Sequence, residues 1–180
     1  MANPKTLKIA IVGPESSGKT ELCKVLSSHF KRPWVAEYAR KYFERFKPDH
    51  YDQELLVSLL REQMRIESDI SEKNSMVFCD TAPINFVVWS KFRFGDVHPE
   101  ILNLFKTHTY WFTLVLKPDL SWVDDGIRIN PDDRHEVFEA HCKYLTASAM
   151  PFGIVSGWGV SRLHSALNLL KSVLPANKSY

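Results

Sequence analysis

Gly13-Pro14-Glu15-Ser16-Ser17-Gly18-Lys19-Thr20 has the spacing Gly-x-x-x-x-Gly-Lys-Thr, and that spacing suits one task, the holding of a polyphosphate. The glycines let the backbone turn tightly and point several N–H groups at phosphate oxygens. A helix starting at Gly18 aims its partial positive end at the same charge. Lys19 brings a full charge to the β- and γ-phosphates of ATP, and the Thr20 hydroxyl stands where a Mg²⁺ ligand is needed. The residues Gly13, Pro14, Glu15, Ser16, Ser17, Gly18, Lys19 and Thr20 are therefore candidate nucleotide contacts.

Three further clusters could act on what that loop holds. Asp80 closes the apolar run Met76-Val77-Phe78-Cys79, the place from which an Asp holds Mg²⁺ directly or through water. The same residue could cap a helix beginning near Pro83, and the two roles are compatible. Thr81 follows it where a hydrolysing motor usually carries Glu, which favours transfer to a bound acceptor over activation of water. Glu37 ends a second apolar run, Trp34-Val35-Ala36, and Arg40 lies on the same helical face. A carboxylate there could take the proton of an acceptor hydroxyl, or hold that hydroxyl in line with the γ-phosphate. The plainer reading is a Glu37–Arg40 ion pair at a helix start. The third cluster is Trp122-Val123-Asp124-Asp125-Gly126-Ile127-Arg128, followed by Arg134. Arginines on a mobile loop can stabilise the charge that spreads over a transferring phosphoryl group. Its plainer reading is a solvated turn of alternating charge.

The elements that must position these residues follow from periodicity. Leu7–Val12 reads as a strand buried on both faces, followed by a helix from Gly18 to about Phe30. Trp34-Val35-Ala36 is a second strand, with a helix from Tyr38 to Phe46. Asp52 is a plausible N-cap for a long helix through Lys73, striped by Leu55, Leu56, Leu59, Leu60, Met64 and Ile66. A third strand ends at Asp80, and a helix from Pro83 through Trp89 follows. His98-Pro99-Glu100 opens another short helix. Tyr110–Leu116 is the fourth strand, and the irregular stretch from Pro118 to Asp133 has the composition of a lid, placed at about 118–134. A helix over His135–Ala147, a strand over Phe152–Val155 and a helix over Val160–Val173 complete the chain. Strands alternating with helices predict an α/β P-loop NTPase fold in three layers, a parallel five-stranded sheet covered by helices on both faces. The whole of 1–180 is expected to form one domain.

Composition narrows the partners. The chain has 180 residues, 44% hydrophobic and 24% charged, with a net charge of +2. A balance so close to neutral gives no case for a nucleic-acid binder, so positive potential must be local, as around a small anion. No apolar stretch is long enough for a membrane span, and the N-terminus lacks the pattern of a signal peptide. Cys23, Cys79 and Cys142 sit in apolar-periodic segments without CxxC spacing and read as buried, reduced thiols of a cytoplasmic protein. The histidines follow no metal-ligand pattern. No Asn-Lys-x-Asp motif is present to read guanine, since Asn177-Lys178 is followed by Ser179 and Tyr180. Trp89, Phe92 and Phe94 read as packing residues.

Taken in order, Gly-Pro-Glu-Ser-Ser-Gly-Lys-Thr, Ala36-Glu37-Tyr38-Ala39-Arg40, Phe78-Cys79-Asp80-Thr81 and Trp122 to Arg128 resemble the ribosylnicotinamide kinase domain of the NadR family. The resemblance runs from about Lys8 to the last helix. It implies ATP-dependent phosphorylation of the 5′-hydroxyl of nicotinamide riboside, giving nicotinamide mononucleotide. Glu37 or Asp80 would orient and deprotonate the acceptor hydroxyl, and Arg128 and Arg134 would close over the γ-phosphate. Members of the family tend to place Trp immediately before Glu-Tyr, where it can stack on the pyridinium ring. Here Ala36 stands instead, which leaves that contact to Trp34, Tyr38 or Trp122, with Glu37 and Arg40 beside them. The larger NadR proteins also carry an adenylyltransferase domain, and the segment before Lys8 is too short for one.

Overall fold

Strand β1 (Leu7–Val12) carries apolar residues on both faces, Lys8 alone excepted, because helices cover both. Leu7, Ile9 and Ile11 belong to one apolar core, and Ala10 and Val12 to another. This period of two places every later residue at a strand end on a defined side of the sheet. The computed structural model describes residues 6–122 and 133–175.

The remaining elements are α1 (Lys19–Phe30), β2 (Trp34–Val35), α2 (Tyr38–Phe46), α3 (Gln53–Ser71), β3 (Met76–Asp80), α4 (Pro83–Phe94), α5 (Pro99–Thr107), β4 (Phe112–Leu116), α6 (Arg134–Ala147), β5 (Phe152–Val155) and α7 (Gly159–Val173). All strand pairings are parallel, in the order β2-β3-β1-β4-β5. The expected α/β P-loop architecture is present. Helices α1 and α7 cover the face carrying Ile9, Ile11, Phe78 and Leu114, while α3, α4 and α6 pack on the other. Among the described residues no helix is long and apolar enough to cross a membrane.

Two boundaries differ from the periodic reading for physical reasons. Helix α4 continues past Trp89 to Phe94, where Gly95 at φ 84° supplies the left-handed stop. Trp89 is held by packing against Phe43, Tyr51 and Phe86. Strand β4 starts at Phe112, because Tyr110 is drawn aside to donate its hydroxyl to Glu67 Oε2 at 2.8 Å. The thiols of Cys23 and Cys79 are free and buried, whereas Cys142 is only half-buried.

Glu67 is a carboxylate with 0% exposure on the inner face of α3. Lys8 Nζ lies 3.0 Å from its Oε1, His108 Nε2 lies 2.8 Å from the same atom, and Tyr110 takes the other oxygen. Burial alone would raise its pKa, but the His108 hydrogen bond and the Lys8 charge outweigh burial and hold the carboxyl below its ordinary value. A depressed carboxyl contributes stability above its unfolded pKa, about 4.3, and loses it as pH falls through the folded value. Urea melts from neutral pH downward should therefore show Glu67→Gln less stable than the wild type at pH 7, with the gap closing in acid. A gap that stays constant would remove Glu67 from the acid lability of the fold.

Candidate active site

The Gly13–Thr20 loop leaves the carboxyl end of β1 and enters α1. At Gly13 φ is 136°, and a Cβ there would lie 2.7 Å from the carbonyl oxygen of Leu116, so no side chain fits between the ends of β1 and β4. Gly18 caps α1 in the left-handed conformation at φ 81°.

The carbonyls of this loop are taken up one after another by side chains. Gly13 O accepts from Lys19 Nζ at 3.1 Å and from Asn85 Nδ2 at 3.4 Å. Pro14 O accepts from Ser17 Oγ at 2.8 Å and from Lys19 Nζ at 2.9 Å. Arg134 donates its Nε to Glu15 O at 3.2 Å and its Nη2 to Ser16 O at 3.3 Å, and Arg162 Nη1 donates to Ser17 O.

Asp80 follows Met76 and Phe78 in the alternation of β3, which turns it toward α1. There its Oδ2 accepts from Thr20 Oγ1 at 2.6 Å. Its Oδ1 is buried and has no hydrogen-bond partner among the described residues. An orphaned acceptor beside a hydroxyl suits a hard cation whose other ligands are phosphates and water. Among the described residues no group of three or more His, Cys, Asp or Glu gathers to form a protein-only metal cage. Burial pushes the Asp80 carboxyl up, while Lys19, the Thr20 hydrogen bond, Arg40 and Lys24 pull it down, and the net shift is upward. The next residue, Thr81, is buried and sits at φ 83° with its N–H bonded to Ile11 O at 3.1 Å. A β-branched residue in that region costs about 1–3 kcal/mol of backbone strain.

Glu37 ends the extended segment after β2 and serves as N-cap of α2. It shares one open cleft, about 410 Å³, with Ser16 to Glu21, Arg40, Leu120 and Ser121. Burial raises the Glu37 carboxyl above its ordinary value; Lys19 and Arg40 oppose the rise, and Asp80 and Glu15 add to it. Arg40 bonds Glu44 at 3.0 Å, one turn further along α2. Tyr38 is half-buried against the core under α3 and α4, and Trp34 packs with the core under α1. Trp122 is half-buried beside the cleft-lining Leu120 and Ser121. Arg128 lies outside the described residues. Arg134, read from the sequence as a lid residue, is the buried first residue of α6 and also bonds Leu120 O at 2.9 Å. Its guanidinium braces the phosphate loop from the carbonyl side.

Arg162 was not legible as a site residue, although a signal for it exists. It occupies the same buried stripe of α7 as Ala166 and Leu170, one and two turns on, where an arginine demands partners. Those partners are Asp119, Ser17 O, Lys117 O at 3.3 Å and Gly157 O at 2.7 Å. Arg162→Ala leaves these acceptors unpaired and is expected to cost about 2–3 kcal/mol, less than for a wholly buried pair because Asp119 is partly solvated. At about 2–4 °C per kcal/mol for a chain of this size, thermal melts should drop by roughly 4–12 °C. A melt unchanged by the substitution would show that the network contributes nothing net.

A phosphate loop between a central strand and its helix, with a strand-end Asp on the loop threonine, defines a P-loop nucleotide-binding domain. A family model described as an AAA domain matches residues 8–162, and the chain belongs to that family. More narrowly, it resembles NadR in both sequence and fold. It is 29% identical over 125 residues to the trifunctional NAD biosynthesis/regulator protein NadR of Salmonella typhimurium, and equally so to that of Escherichia coli. Each match covers 67% of this chain and 30% of the relative, so the chain spans well under half the length of these proteins. A crystal structure of NadR protein in complex with NR superposes with a TM-score of 0.80 at 24% identity, over 94% of this chain and 52% of the other. Thymidylate kinase from Ehrlichia chaffeensis gives 0.66 at 13% identity, covering 95% of this chain and 100% of that one. Deoxyadenosine kinase from M. mycoides gives 0.62 at 13%, covering 93% and 100%. The fold is that of NadR and of nucleoside and nucleotide kinases.

Proposed function

We propose that the chain is an ATP-dependent phosphotransferase acting on the 5′-hydroxyl of nicotinamide riboside. The observation that carries the reading is the shared cleft, in which Glu37 faces the same space as Lys19 and Thr20. Strand order puts β3, with Asp80, between the loop strand β1 and the Glu37 strand β2. A donor phosphate on the loop and an acceptor hydroxyl at Glu37 would then both lie at the carboxyl edge of the sheet, where ligands of such folds bind.

In this reading the loop N–H groups and Lys19 hold the β- and γ-phosphates. Thr20 and Asp80 would hold Mg²⁺, which would supply positive charge to offset that of the phosphates. Glu37 orients the acceptor hydroxyl and accepts its proton, a role supported by its upward-shifted carboxyl. Arg40, Tyr38 and Trp122 border the acceptor, Arg128 closes from the lid over 118–134, and Arg134 fixes the loop. The domain works as one unit over 1–180.

A second acceptor class has an observation of its own. Ala36 offers no ring, and Trp34 is engaged in the core with Phe30 and Phe78 nearby, which favours a nucleoside that needs no stacked cation. A coupled ADP-release assay over a panel of nucleosides, nicotinamide riboside included, decides between them. Stimulation by nicotinamide riboside is the expected result. Stimulation by another nucleoside alone moves the acceptor, and none by any compound refutes the kinase.

A further inference from the structure

Gln63 is a polar side chain at a position built for an apolar one. It lies on the buried stripe of α3 with Leu56, Leu60 and Glu67 and is 1% exposed. Its Nε2 has no hydrogen-bond partner among the described residues. Its Oε1 has one, accepting the backbone N–H of Tyr38 at 2.7 Å. That bond fixes the orientation of the amide, since an N–H requires an oxygen opposite it.

Tyr38 is the first residue of α2, and Glu37 is that helix's N-cap. An N-cap side chain bonds the N–H of the second or third helical residue, so the first, that of Tyr38, falls to another partner. Glu37 makes no such bond and instead lines the cleft. The groups that act on it there are Lys19, Asp80, Arg40 and Glu15. The Gln63 bond holds the peptide that joins Glu37 to Tyr38, and with it the direction in which the Glu37 side chain leaves the backbone.

We propose that Gln63 is a positioning residue, which pins the peptide between Glu37 and Tyr38 from the neighbouring helix and so aims the Glu37 side chain at the acceptor. The inference rests on the reading of Glu37 as the acceptor-binding carboxylate and adds the residue that holds it in place. It also accounts for an amide kept in the core with half of its hydrogen-bonding capacity unused.

The test is a double-mutant cycle with Glu37→Gln, run with whichever nucleoside stimulates the wild type. Gln63→Met removes the acceptor atom at nearly constant length, and Gln63→Glu keeps an oxygen for Tyr38. Gln63→Met is expected to lower kcat/KM for the acceptor by roughly 10–100-fold, with KM for ATP changed by no more than about twofold. Gln63→Glu should recover most of that loss, and Gln63→Met should cost nothing further in the Glu37→Gln background. Equal losses in both backgrounds, or full activity of Gln63→Met, would overturn the proposal. If Gln63→Met does not fold, Gln63→Asn withdraws the amide by one methylene and serves the same cycle. A crystal structure of the variant gives a readout independent of turnover. The Glu37 side chain should leave its place in the cleft, and finding it unmoved overturns the proposal. A wild type that no acceptor stimulates refutes the kinase reading instead, and the crystal structure still decides the role of Gln63.

Discussion

Lys19→Ala is expected to lower acceptor-stimulated ADP release by roughly 10²–10³-fold while leaving a folded protein. The side chain is bonded to Gly13 O and Pro14 O, so its ammonium already sits over the loop that would hold phosphate. Moving from those carbonyls to phosphate oxygens, it meets charge that grows on the bridging oxygen as the bond to the γ-phosphorus breaks. An interaction that strengthens toward the transition state shows in kcat more than in KM for ATP. Lys19→Arg should not rescue, because a planar fork cannot take the place of a compact ammonium inside so tight a turn. Circular dichroism melts establish folding, and single-turnover assays separate chemistry from release. Turnover within about threefold of the wild type, against the expected two to three decades, would sink the donor site.

Asp80→Asn should do two things in opposite directions. Transfer should fall by roughly 10²–10³-fold, because the neutral amide holds Mg²⁺ poorly. Thermal stability without ligand should rise at neutral pH. The sign follows from the upward shift: burial dominates, so the folded protein binds the Asp80 proton more tightly than the unfolded chain does. An acid with a raised folded pKa contributes stability when protonated, and loses it as pH climbs from about 3.9, the unfolded value, through the folded one. Asparagine ends that loss and still accepts from Thr20 Oγ1. An increase of about 2–4 °C in Tm corresponds to about 1 kcal/mol in a chain of this size. Mg²⁺ with ATP should reverse the order, raising the wild type by roughly 5–10 °C at a hundredfold excess over Kd and the variant far less. A variant that melts lower without ligand would show that Asp80 is stabilised by its neighbours rather than strained by burial.

The fold was readable because each of its strands announces itself by type and length. The run Leu7–Val12 is apolar but for Lys8 and stops at Gly13, and Met76–Cys79 is apolar throughout and stops at Asp80. The phosphate loop was readable because its chemistry resides in one contiguous stretch. Arg162 and Gln63 were not, since each acts on a distant segment through a carbonyl or an N–H that sequence does not show. Both nevertheless leave a trace. They interrupt buried helical stripes, Arg162 before Ala166 and Leu170, and Gln63 between Leu60 and Glu67. Arg134 was legible as a cation near the site, but its partners follow from the docking of α6 on the loop, a tertiary event. Charge periodicity could find the arginine and could not say which side of the phosphates it would occupy.

The carbonyls of Glu15, Ser16 and Ser17 are each tied to an arginine from another helix, which fixes the sense of the peptide planes they belong to. A plane whose oxygen is held outward presents its hydrogen inward. The hollow therefore keeps its shape before any nucleotide arrives, and little chain entropy is left to be lost on association. Calorimetry of ATP binding should then resemble a rigid key entering a rigid lock, with association limited by encounter rather than by rearrangement.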